Sequence, residues 1–131
     1  MRAIVDKCYS YEKGDLQVNI CFRRGRPLII TIASRNFAYH LISHVESLWI
    51  SYGDGHAREI YVDHKAGKIE IVDYSVDEDF TVLHEKKTRR FNTRSREGRK
   101  ILREFEEIVG LLLDRAATVL ATRNDDVSDD I

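Results

Sequence analysis

Eight of the 21 basic residues in this 131-residue chain fall between Lys86 and Lys100: Lys86, Lys87, Arg89, Arg90, Arg94, Arg96, Arg99 and Lys100. Glu97 is the only acid among them. Eight bases less one acid make this segment +7, and with a whole-chain charge of −1 the remainder carries −8. A total near zero argues against a generic nucleic-acid binder but leaves room for a local anion site.

The second half of the segment opens the final amphipathic stretch, where a helix would begin. A helix start already carries about half a positive charge and favours carboxylates. Here Arg94, Arg96, Arg99, Lys100 and Arg103 crowd into it instead. Violations of a local rule concentrate at functional sites, and a bound anion would relieve the repulsion, helped by the free N–H groups of the first turn. The neighbours suit a nucleotide. Phe91 could stack on a base. Asn92 could read a base edge or cap the helix, and Thr93 and Ser95 could donate to phosphate oxygens. The expected ligand-binding set is therefore Phe91, Asn92, Arg94, Ser95, Arg96, Arg99, Lys100 and Arg103. A solvated, charged connector is the plain alternative.

Other chemistry is less well supplied. His40 and His44 are spaced i, i+4, as two zinc ligands on one helix face would be. Leu41 stands where a zincin has its glutamate, and no third ligand is evident, so no metal is expected. His56, His64 and His84 are scattered, and Ser51, Ser75 and Ser95 lack a nucleophile elbow. No nucleophile, base and orienting group assemble in sequence, so the chain reads as a non-enzymatic protein with no cofactor. Cys8 and Cys21 are too few for a disulfide scaffold and are expected as reduced thiols. If Gly14-Asp15 is the hairpin turn, Cys8 lies opposite Cys21; if Lys13-Gly14 turns, it faces Asn19. The six tyrosines suit either a contact surface or plain strands.

These residues need elements to position them. Residues 2–12 read as a strand, with Ala3, Val5, Tyr9 and Tyr11 on one face. Leu16, Val18, Ile20 and Phe22 alternate with polar residues in a second strand. Leu28 to Ala33 is a third, after the turn at Arg24-Gly25-Arg26-Pro27. From Asn36 to Ile50, apolar residues at Phe37, Leu41, Ile42, Val45, Leu48 and Trp49 recur at helical spacing, although the same composition suits a strand. Glu59–Val62 and Lys68–Tyr74 form a hairpin across Asp63–Gly67. Ser75-Val76-Asp77-Glu78 matches a capping box and predicts a second helix ending near Lys86 and Lys87. The last helix runs to about Arg123, with Ile101, Phe105, Ile108, Leu112 and Val119 on one face, widened by Leu102, Val109, Leu113, Ala116 and Leu120.

The expected architecture is α+β: an antiparallel sheet of about five strands in two hairpin units, an intervening helix, and two C-terminal helices. One domain spans 1–123, followed by an acidic flexible tail at 124–131. No run is long enough to span a bilayer, so the expected location is cytoplasmic. The leading functional expectation is a binder of a phosphate-bearing ligand: a nucleotide, a cyclic oligonucleotide or nucleic acid. The alternative is a protein–protein module (an inhibitor, immunity-type or assembly protein) using the apolar helix face or the basic patch against an acidic partner. A small enzyme whose site is invisible in sequence is the third reading. The breadth of the final stripe also suggests a homodimer.

Overall fold

The computed structural model describes residues 7–79 and 81–121. The expected positions of Ala3, Val5 and the 124–131 tail lie outside these residues, as do the side chains of Val119 and Leu120. Eight strands follow one another as β1 (Lys7–Lys13), β2 (Leu16–Arg23), β3 (Arg26–Ala33), β4 (Phe37–Ile42), β5 (Val45–Ser51), β6 (His56–Asp63), β7 (Lys68–Val76) and β8 (Val82–Asn92). They form one sheet in chain order, every neighbour antiparallel. Among the described residues a single helix, α1 (Arg96–Ala121), follows.

This corrects the expected five strands with three helices. The expected helix at 36–50 is the β4–β5 hairpin. Ser43 takes a left-handed φ of 59°, which permits a two-residue Ser43-His44 turn. Phe37, Tyr39 and Leu41 then line one face and Ala38 and His40 the other. Tyr39 pairs with Leu48, and aromatic and β-branched content favours the strand. Ser75-Val76-Asp77-Glu78 is no capping box either. Asp77 accepts the N–H groups of Asp79 (2.8 Å) and Thr81 (2.9 Å), making a carboxylate-centred turn from β7 into β8. Half of the basic segment is thus a strand whose residues alternate between faces.

One face of the sheet is covered by α1. Leu16, Val18, Ile32, Tyr39, Leu48, Ile60, Val62, Ile69 and Ile71 close a core with Phe105, Val109 and Ala116. Of the helix stripe read from the sequence, Phe105 (1% exposed), Val109 and Ala116 are buried and Ile101, Leu102 and Leu112 pack against them, whereas Ile108 and Leu113 are exposed. Beyond the helix the covered face turns polar. There Arg58 clamps Asp73 through Nε (2.6 Å) and Nη2 (3.3 Å), with Arg89 at 3.9 Å. These cations hold the Asp73 carboxyl below its ordinary range, the Arg58 hydrogen bond first among the causes. On the uncovered face Trp49 and Tyr74 pack at 5.5 Å, and Val72 and Ala57 are buried.

Gly14 has φ 62°, and Lys13 pairs with Leu16, so the turn is Gly14-Asp15 and Cys8 lies opposite Cys21. The two are joined as a disulfide, which corrects the expectation of reduced thiols. A cross-strand pair in this register presents the two side chains on one face, close enough to bond.

Candidate basic rim

A meander returns every second turn to the same end of the sheet. One end therefore holds the β2–β3, β4–β5 and β6–β7 turns and the junction of β8 with α1. The first contributes Arg23, Arg24 and Arg26, the second His44, the third His64, Lys65 and Lys68, and the junction Arg94 and Arg96. Asp63 is the one acid within these turns or at their strand ends, and Glu97 follows in the first turn of α1. The opposite end carries Asp15, Asp54, Asp77, Glu78 and Asp79. The charge asymmetry seen along the chain becomes an asymmetry between two ends of one sheet.

Backbone hydrogen bonds tie the three basic segments and the Ser43-His44 turn into a continuous rim. Ser43 donates its N–H to Leu28 O (2.9 Å), His64 to His44 O (3.0 Å), and Thr93 to Gly67 O (2.9 Å). Asp63 is committed to local structure. It accepts the N–H groups of Lys65 (3.1 Å) and Ala66 (3.0 Å) and lies 3.7 Å from His44 Nε2. The Ala66 bond is the main cause of its lowered carboxyl pKa. Among the described residues, Arg23, Arg26, Lys65, Lys68, Arg94, Arg96 and Lys100 form no ion pair with a carboxylate.

The junction itself is built from the chain's own hydrogen-bonding side chains. Asn92 Oδ1 accepts the Arg94 N–H at 2.8 Å. Ser95 Oγ donates to Asn92 O (2.9 Å) and accepts the Gly98 N–H (2.9 Å), so Ser95 is the helix N-cap. Arg99 reaches back to donate to Arg94 O at 2.8 Å, holding its guanidinium at the turn. Behind the rim, the buried Tyr39 hydroxyl donates to Glu46 at 2.6 Å, and His64 Nε2 contacts the other Glu46 oxygen. Burial, and then Glu46, push the Tyr39 pKa up.

The eight residues expected to bind ligand fall into two groups. Arg94, Arg96, Arg99, Lys100 and Arg103 are exposed on the junction and the first two turns of α1. Asn92 and Ser95 spend side-chain oxygens on the turn and cap, and Phe91 pairs with Ile69 and packs against the core. Lys86, Arg89 and Arg90 of the basic segment are turned to other partners: His56, Asp73 and Glu70 respectively. Sequence reading missed Arg23, Arg24, Arg26, His44, His64, Lys65 and Lys68. Only counting turns could have found them, since their spacing along the chain carries no pattern.

Among the described residues, no group of three or more His, Cys, Asp or Glu side chains is placed to hold a metal ion. No helix among them is long and apolar enough to cross a membrane. No family model matches this chain, and no curated protein or solved structure matches it.

Proposed function

We propose that the protein binds nucleic acid, or another chain of phosphates, through the basic rim, without catalysing a reaction. The observation that carries this is the convergence of lysines and arginines from three separate segments at one end of the sheet, with His44 between them, while Asp15, Asp54, Asp77, Glu78 and Asp79 gather at the other. Successive turns at one end lie roughly 10 Å apart, two strand spacings, so the rim offers a row of cations and not a single point charge. A row of that kind fits an extended polyanion better than a mononucleotide. A cytoplasmic setting completes the reading, and there the Cys8–Cys21 bond would follow the local redox poise.

Fluorescence anisotropy with labelled oligonucleotides tests it. Arg94→Ala with Arg96→Ala should weaken binding at least ~10-fold, and Arg35→Ala at the opposite end should leave it unchanged. Equal loss from both would reduce the rim to non-specific charge.

A second reading, contact with a second copy of the chain, is favoured by one flank of α1. Leu111 is 70% exposed and Ile108 37%. They share a stripe with Glu104 and Arg115, which are also exposed. Antiparallel packing about a two-fold axis between Ile108 and Leu111 would set each Glu104 against the partner's Arg115. Light scattering of wild type and Leu111→Glu distinguishes the two states.

A further inference from the structure

Next to the rim, on the uncovered face, lies a cleft of about 500 Å³. Val45 and Tyr61 supply apolar surface; Lys68, Glu70, Arg90 and Asn92 supply polar groups. Its position follows from register. Val45, Asp63, Lys68 and Asn92 form the last cross-strand row before the basic turns, and Tyr61, Glu70 and Arg90 the next row inward. At ~3.3 Å per residue, the cleft floor lies within about 7 Å of the rim.

A second, polar hollow is lined by His64, Lys65, Gly67, Thr93 and Arg94, and it also includes Asn92. One residue therefore borders both an apolar cleft and a cationic hollow. We infer that the cleft receives an unpaired base of a single-stranded nucleic acid whose phosphates run along the rim. This rests on the rim reading and narrows it to one strand form.

Three properties favour a base over other occupants. The volume falls in the range of small-molecule sites, roughly 300–1,000 Å³. The tyrosine ring offers a stacking surface, and stacking contributes ~1–3 kcal/mol per base without regard to sequence. The polar groups mix donors and acceptors. Lys68 and the Asn92 amide donate, Glu70 accepts, and Arg90, 76% exposed and 2.8 Å from Glu70, can lay its guanidinium on a ring. A cleft for an anion alone would not hold Glu70 and Asp63 among its walls. A base in a duplex is already stacked and paired and cannot enter, so the discrimination is between strand forms.

The test compares oligo(dT) with an abasic strand of equal length and charge. Oligo(dT) should bind wild type at least ~5-fold more tightly. Tyr61→Ala should lower oligo(dT) binding to the abasic level and leave the abasic strand's affinity unaltered. Arg90→Ala, at an exposed side chain, should do so in part and serves if Tyr61→Ala does not fold. An abasic strand that binds as tightly as oligo(dT) overturns the cleft and leaves the rim standing. Failure of both strands to bind overturns the rim as well.

Discussion

Replacing Gly98 by alanine separates what the sequence says from what the fold requires. Gly98 is the third residue of α1, and its φ is not positive. By helix propensity alone, alanine there gains up to about 1 kcal/mol. The structure demands the opposite. A Cβ at Gly98 would stand 1.8 Å from Asn92 O and 2.8 Å from its carbonyl carbon, both backbone atoms. It would also lie 2.9 Å from Ser95 Oγ, the cap itself. Relief requires the end of β8 to move away from the helix start. Overpacking of this kind costs about 1–3 kcal/mol, and a disturbed cap adds about 1 kcal/mol. Set against the propensity gain, the net loss is about 2 kcal/mol. With a urea m-value near 1.5 kcal/mol/M, the unfolding midpoint should fall by about 1.3 M. Circular dichroism, with Trp49 fluorescence as a second probe, reads this directly. A Gly98→Ala protein as stable as wild type would refute the close junction, and with it the placement of Arg94 and Arg96 on the rim.

Three further outcomes follow from the same structure. Arg96→Glu should stabilise the free protein by about 0.3–1 kcal/mol, because an acid replaces a base at a positive helix end, while weakening oligonucleotide binding; thermal unfolding and anisotropy should therefore move in opposite directions. Reducing the Cys8–Cys21 bond, which spans a sequence separation of 13, should lower stability by up to about 3 kcal/mol on loop-closure grounds, measured by urea unfolding with and without reductant. In acid, the lowered Asp73 pKa makes its ion pair with Arg58 stabilising above the ordinary carboxylate value near 3.8 and progressively lost as pH falls through the lower folded value. Asp73→Asn should therefore flatten the acid limb of a stability–pH profile, while an unchanged limb would show that the pair does not contribute.

How much of this was legible beforehand depended on whether local pattern had one interpretation or two. Leu16 to Phe22 alternates strictly and is a strand. Glu59–Val62 and Lys68–Tyr74 lie within the β6–β7 hairpin, across Asp63 and Gly67. The stripe Ile101, Phe105, Ile108 and Leu112 lies on a helix as expected, because spacings of four, three and four do not fit a period of two, although Ile108 turns to the exposed flank. Residues 37–49 fit two periods, and the deciding feature was a Ser43-His44 turn that carries neither glycine nor asparagine. Ser75 with Glu78 resembled a capping box, yet Asp77 competed successfully by accepting two backbone N–H groups. Those two misread turns hid the rim. Without β4, β5 and β8 as strands, nobody could count that Arg24, His44, Lys65 and Arg94 return to one end. The basic cluster near α1 was visible as charge against a helix dipole; its partners on the rim were a property of topology.

On the rim, the β2–β3 turn, the β6–β7 turn and the β8–α1 junction are expected to act together on one strand of phosphates. Binding of oligo(dT) should be followed by anisotropy from about 50 to 200 mM salt, for wild type and for a variant with Arg23, Arg26, Lys65 and Arg94 all changed to alanine. For single strands, log Kobs falls with log salt at about −0.7 per phosphate neutralised. Losing four contacts should make the slope shallower by about 2.8. A slope unchanged between the two proteins, with affinity also unchanged, would contradict the rim.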